Sequence, residues 1–156
     1  MPELTLDELK QAIPANSRLL GLDLGSKTVG LAISDSMFHL ASPIDTIRRK
    51  KFTLDAEYLL RVIDERHVGG LVLGLPVNMD GTEGPRCQST RQFARNLMEK
   101  RDVPIAFWDE RLSTSAVERD LIAADVSRAK RAKVVDQMAA GFILQGALDY
   151  LNRANS

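Results

Sequence analysis

The chain has 156 residues and a mass of 17.3 kDa, and its 21 Lys/Arg offset its 21 Asp/Glu for a formal net charge of zero. With 44% hydrophobic residues it has a globular composition, which excludes a mainly disordered chain, and a length of this order supports one core and excludes a large two-domain enzyme. It has no long apolar run of membrane-spanning length, its start MPELTLDELK lacks the basic and apolar regions of a signal peptide, and its single Cys87 cannot form an internal disulfide, so a cytoplasmic protein with no membrane partner is expected.

The segment TLDELKQAI predicts a short helix. Thr5 caps it, Glu8 three residues on completes a capping box, Leu6, Leu9 and Ile13 share a side, and Pro14 ends it. Two apolar runs follow, Leu19–Leu24 and Val29–Ser34, around a turn at Gly25-Ser26-Lys27, and they read as a β-hairpin. A third strand is expected around Pro43–Ile47. Residues 53–66 predict a helix capped by Thr53, with Leu59, Val62, Ile63 and Arg66 near one face, ended by Gly69-Gly70. Leu71–Leu75 is too short for a helix and suits a buried strand. The Gly-, Pro- and Asn-rich stretch Pro76 to Arg86 reads as a loop. Residues 89–100 predict a helix, Ile105–Trp108 a strand, and Ser115-x-x-Glu118 a capping box that opens another helix. Residues 134–151 predict a last helix, apolar on so much of its circumference that it must lie against a sheet. Early hairpin strands followed by strands alternating with helices imply one α/β domain with a mixed sheet.

Zero net charge argues against generic coating with nucleic acid but not against a local basic site. Residues 1–78 carry 9 basic and 10 acidic side chains and residues 79–156 carry 12 and 11, so neither half is a basic or acidic domain. Two basic clusters stand out: Arg48, Arg49, Lys50 and Lys51, and then Arg128, Lys130, Arg131 and Lys133. The first reads equally well as a solvated face.

His39 and His67 belong to no ligand-spaced pattern, and Cys87 has no thiol or histidine companion for nucleophilic chemistry. The acids carry more. Asp23 sits between Leu22 and Leu24 in the most apolar strand, a costly place for a carboxylate that is neither paired nor bound to a metal. Glu110 follows a strand at its carboxyl end, where open α/β sheets bind ligands. If that strand ran through both Asp109 and Glu110, their side chains would point to opposite faces and only one could join Asp23. Asp136 lies early in the last helix, one turn before Ala140, and small residues there allow a close approach to the sheet. Three converging carboxylates repel one another unless a divalent cation binds, and oxygen-only ligation suits Mg2+ or Mn2+. Phosphodiester hydrolysis is the chemistry natural to such a site. The Arg128–Lys133 cluster would then hold the phosphate backbone, and Lys27 with the amides of the Gly25 turn can reach a phosphate as well.

Four stretches, GLDLGSKTVGLAISD (21–35), LVLGLPVNMDGTEG (71–84), DERLST (109–114) and SRAKRAKVVDQMAAGFILQGALD (127–149), resemble the bacterial YqgF family, also called RuvX. Its members are described as pre-16S rRNA nucleases and formerly as Holliday junction resolvases. The resemblance runs from about residue 17 to 151. It implies an RNase H-like fold, with a five-stranded mixed sheet whose first three strands are antiparallel, in a domain over 17–152 preceded by an N-terminal helical extension over 1–16. It places the family's acids on Asp23, Glu110 and Asp136, as catalytic and metal-binding residues, and puts Asn78 and Arg111 in family motifs that support the site or substrate. It further implies a cytoplasmic role in maturing the 5′ end of 16S rRNA, with precursor 16S rRNA, branched DNA or ribosomal assembly intermediates as partners, acting as monomer or dimer. Resolvases of the RuvC type carry a further acid three positions beyond the one in the last helix; here that position is Ala139, which puts junction cleavage in doubt.

Two other readings compete. The motif from Asp23 to Gly30 also resembles the first phosphate loop of sugar kinases and actin-like ATPases, but those clamp ATP between two such domains. A non-catalytic RNA- or ribosome-binding module is the other, and the retained acids argue against it.

Overall fold

The computed structural model describes residues 4–112 and 128–153, and for 128–137 only the backbone. Helix α1, Leu6–Ala12, carries the expected box: the Thr5 hydroxyl accepts from the Glu8 amide and the Glu8 carboxylate accepts from the Thr5 amide. Leu6 and Leu9 are buried, so α1 packs into the core rather than beside it. The amide of Leu4 donates to the carbonyl of Ile105 and extends the pairing at that sheet edge.

Strands β1 (Arg18–Leu24) and β2 (Thr28–Ser34) form the antiparallel hairpin, and β3 (Ala41–Arg48) pairs antiparallel with β2. Strand β4, Val68–Leu75, then pairs parallel with β1, and β5, Ile105–Asp109, parallel with β4. The sheet order is β3-β2-β1-β4-β5. The two inner strands of the parallel half come from apolar runs that must be covered on both faces.

Helices α2 (Phe52–Glu65) and α3 (Pro85–Lys100) cover one face. There Leu20, Leu22, Leu71 and Leu73 meet Leu59, Phe93 and Leu97 in the larger core cluster. Helix α4, Arg128–Asn152, covers the other face and packs on β1, β2 and β3. It brings Ala140, Ile143, Leu144 and Leu148 onto Leu19, Ala32, Val72 and Ala106. Each fully buried leucine contributes about 1.5–3 kcal/mol relative to exposure.

Several boundaries differ from the sequence reading. Thr53 does not cap α2: the helix starts at Phe52, its N-cap Lys51 has no side-chain bond, and the buried Asp55 carboxylate accepts instead from the Lys50 amide. Phe52 is drawn into the helix by its edge-to-face contact with Phe93, centroids 5.3 Å apart. Gly69 and Gly70 do not end α2 but lie in β4. The chain turns instead at His67, whose φ is 55°. A Cβ on Gly70 would sit 2.7 Å from Leu9, so that glycine admits α1. Helix α3 begins at Pro85, inside the expected loop, because proline is favoured at the first helical position. The helix expected from Ser115 lies outside the described residues.

Candidate active site

Asp23 is the penultimate residue of β1 and is half-buried. The parallel register of β1 and β4 runs through Leu22 and Leu73, which sets Asp23 beside Gly74. Side chains alternate along β1: Leu20 and Leu22 face α2 and α3, while Leu19, Gly21 and Asp23 face α4. On that face the helix comes very close. A Cβ on Gly21 would lie 2.7 Å from the Leu144 Cβ and 3.2 Å from the Ala140 carbonyl oxygen.

Strand β5 ends at Asp109, and Glu110 opens a 3-10 turn, Glu110–Leu112. That turn separates the neighbouring acids. Trp108 packs on the α4 side, against Gly146, so Asp109 points to the opposite face, where Arg111 holds it through Nε at 3.1 Å and Nη2 at 2.7 Å. This guanidinium keeps the Asp109 carboxyl below its ordinary range. The Glu110 carboxylate instead reaches over β4: its Oε1 is 2.8 Å from where a Gly74 Cβ would be, and Ile143 Cδ1 crowds the same point. Gly74 thus leaves a gap beneath α4 that the Glu110 oxygen enters. Asp23 and Glu110 are therefore brought together on one face, at the carboxyl ends of the central parallel strands.

Asp136 belongs to α4, one turn before Ala140; its side chain lies outside the described residues. So do those of Arg128, Lys130, Arg131 and Lys133, all on the first turns of the same helix. Helix α4 runs antiparallel to β1, because Gly21 meets Ala140 and Leu144 while Leu19 shares a cluster with Leu148. Its chain before Ala140 therefore heads towards the end of β1 that carries Asp23. Ala139 is buried and offers no oxygen ligand. Among the described residues no three His, Cys, Asp or Glu form a metal-holding group, the side chain of Asp136 being outside them.

The other expected residues have local work. The Asn78 side-chain amide donates to the Thr82 hydroxyl at 3.0 Å, and the Asn78 backbone carbonyl accepts from the Gly81 amide at 2.9 Å. It organises the loop 76–84, in which Asp80 also accepts from Thr82 and is thereby held below the usual carboxylate range. Besides binding Asp109, Arg111 donates to the Met79 carbonyl at 3.5 Å and ties this loop to the end of β5. Lys27 is exposed on the β1–β2 turn. Cys87 is buried and burial pushes its thiol pKa up, the opposite of what a nucleophile needs. Gly74 was not singled out in the sequence, although a glycine inside an apolar strand marks a close approach.

A similar fold is met among solved structures. RuvC of T. thermophilus in complex with a Holliday junction substrate superposes with a TM-score of 0.55 at 11% identity, over 88% of this chain and 96% of that one. Sheet order, helix placement and acids at the strand ends define an RNase H-like domain. The family model RuvX, described as Holliday junction resolvase, matches residues 17–150. A protein of Paramagnetospirillum magneticum named "Putative pre-16S rRNA nuclease" is 66% identical over 149 residues, 96% of each chain. One of the same name from Ruegeria pomeroyi is 58% identical over 147 residues, 94% of this chain and 96% of its own. The chain belongs to the RuvX family. The kinase-like phosphate loop is thus one motif within a RuvX sequence. No helix among the described residues is long and apolar enough to cross a membrane.

Proposed function

We propose that this protein is a divalent-metal-dependent nuclease that hydrolyses phosphodiester bonds in precursor 16S rRNA at the 5′ end, in the cytoplasm, with Asp23, Glu110 and Asp136 as its catalytic acids. The observation that carries the reading is the gap over Gly74, entered by the Glu110 carboxylate beside Asp23. A side chain at position 74 would contend with the Glu110 carboxylate for that place and push it off the sheet. The donor set is carboxylate oxygen alone, which fits Mg2+ or Mn2+ rather than a softer metal. When bound, such an ion supplies a nucleophilic water at neutral pH and neutralises charge at the phosphate.

The chain's own residues do the rest. Asp23 is fixed by a strand paired on both sides, so its carboxylate is positioned without rearrangement. Glu110 is set by the end of β5 and by the 3-10 turn that follows. Asp136 completes the set from α4, and the cations Arg128, Lys130, Arg131 and Lys133 on the preceding turns attract the polyanion. Arg111 and Asn78 support the rim by holding the loop 76–84 in place.

The names of the relatives favour RNA as substrate. The family's description favours a second reading, cleavage of a four-way DNA junction. Ala139 weighs against it, since that reading draws on a fourth acid. The deciding assay offers precursor 16S RNA and a four-way junction to the protein with Mn2+ or Mg2+. Cleavage of the RNA is expected, and Asp23→Asn should lower it by at least about 100-fold with an unchanged melting temperature, the size of a lost electrostatic stabiliser. An Asp23→Asn protein that cuts RNA as fast as wild type would refute the assignment of the site.

A further inference from the structure

The opposite face of the same sheet end holds a second feature. A groove of about 750 Å3 lies between the β1–β2 turn, the end of β3 and the start of α3. Its walls bring together Lys27, Arg48, Arg49 and Arg86 and, among the described residues, include no acid. The four cations come from three separate elements. Among the described residues, the side chains of Lys27, Arg48 and Arg86 make no hydrogen bond or ion pair, and all three are exposed. Arg101 and Arg91, by contrast, are each bound to a carboxylate. Glu83, the acid just before α3, is taken by Arg91 and does not neutralise the groove.

The fourth cation has a different task. The Arg49 Nη1 donates to the Gly25 carbonyl at 2.7 Å, its amide donates to the Lys27 carbonyl at 2.8 Å, and its guanidinium lies over Phe93 at 5.8 Å. It fastens the turn to the end of β3 and so fixes the distance between Lys27 and Arg48. Ser26 and Ser89 add hydroxyls to the walls. The first turn of α3 contains no acid, and its N-cap, Gly84, has no side-chain bond. Its positive end therefore adds to the field of the cations rather than creating a site alone.

We propose that this groove grips the phosphates of the substrate strand beyond the point of cleavage. Leu24 lines the groove, and Asp23 is its neighbour in the chain. Alternation in β1 sends Asp23 to the α4 face and Leu24 to the groove, so a strand crossing the sheet end from the acids runs into the cations. Among the described residues no aromatic side chain lines the groove. Bases therefore have no stacking platform, and the grip is on the backbone without sequence preference. The proposal rests on the nuclease reading and extends it with a second contact surface on a different face.

The test is a titration of single-stranded RNA of mixed sequence at several salt concentrations, in the Asp23→Asn background so that nothing is cut. Replacing Arg48 and Arg86 together by alanine should weaken binding about tenfold at low salt and make the slope of log K against log salt shallower by about 1.4, two phosphate contacts' worth for a single strand. The Arg48→Lys/Arg86→Lys pair should restore the slope, because charge and not shape carries the contact. Unchanged affinity and slope in the alanine pair would overturn the groove, as would a lysine pair that behaves like the alanine pair. Absence of RNA binding in the background protein also overturns it. Wild-type cleavage of the same RNA, run in parallel, then reports separately whether the nuclease reading falls too.

Discussion

The two faces of the sheet follow opposite packing rules. Towards α2 and α3 the central strands present Leu20, Leu22, Leu24, Leu71 and Leu73, a thick apolar layer. Towards α4, between Leu19 and Trp108, they present Gly21, Ala32, Val72, Gly74 and Ala106, a thin one. A thick layer is weakened by what is taken away, a thin layer by what is added. The carboxylates stand on the thin side, because a Leu at position 74 would occupy the volume that Glu110 enters. The cost is a face with no slack: α4 sits so close that the Gly21 and Gly74 positions have no room for a methyl group.

The largest expected effect breaks the thick face. Leu73→Ala removes a fully buried side chain and should cost about 2–5 kcal/mol of stability in urea unfolding. Cleavage per folded molecule should survive, since Leu73 points away from the acids. Loss of cleavage in protein shown to be folded would mean that the two faces are not independent.

Next comes an addition to the thin face. Gly74→Ala should cost about 1–3 kcal/mol, the usual size for overpacking. Its smaller stability loss should accompany the greater loss of cleavage, because the new methyl contends with Glu110 Oε1 as well as with Ile143. Unfolding curves and cleavage rates of the two variants, measured side by side, test this crossing of effects. Wild-type cleavage by folded Gly74→Ala would show that the Glu110 position over β4 is irrelevant to the reaction.

Much of this was legible in the sequence where the signal is local. The Thr5/Glu8 box, the hairpin about Gly25 and the apolar last helix each follow from residues a few positions apart. The ends failed where two local signals compete. Pro85 closes a glycine-rich loop and opens a helix with equal right, and only the packing of Phe93 and Leu97 on the sheet decides it. His67 carries no turn signal to match Gly69-Gly70, yet those glycines serve contacts with Ser17 and Leu9 that only the tertiary fold reveals. Asp23 and Glu110 were legible as a carboxylate in an apolar strand and one at a strand end. Gly74 joins them only through β-sheet register. The groove was the least legible part, since Arg48 and Arg86 lie on separate elements and meet only when β3 and α3 are placed.

The smallest effect concerns the acid that the chain turns away from the thin face. Asp109 neighbours Glu110 but points to the opposite side and is bound by Arg111 at 2.7 Å. Arg111 lowers its folded pKa, so the pair adds stability above the unfolded aspartate value, about 3.9, and loses it as pH falls through the lower folded value. With both side chains partly exposed, the contribution is small, about 0–1 kcal/mol. The melting temperature of Arg111→Ala should therefore lie slightly below that of wild type at pH 7, and the gap should close as pH falls below about 3.9. Hydrogen exchange in the loop 76–84 should quicken in the same variant, since Arg111 also holds the Met79 carbonyl. A gap that stays constant down to the acid limit would show that the pair is a bystander, and that the 3-10 turn alone separates the two neighbouring acids.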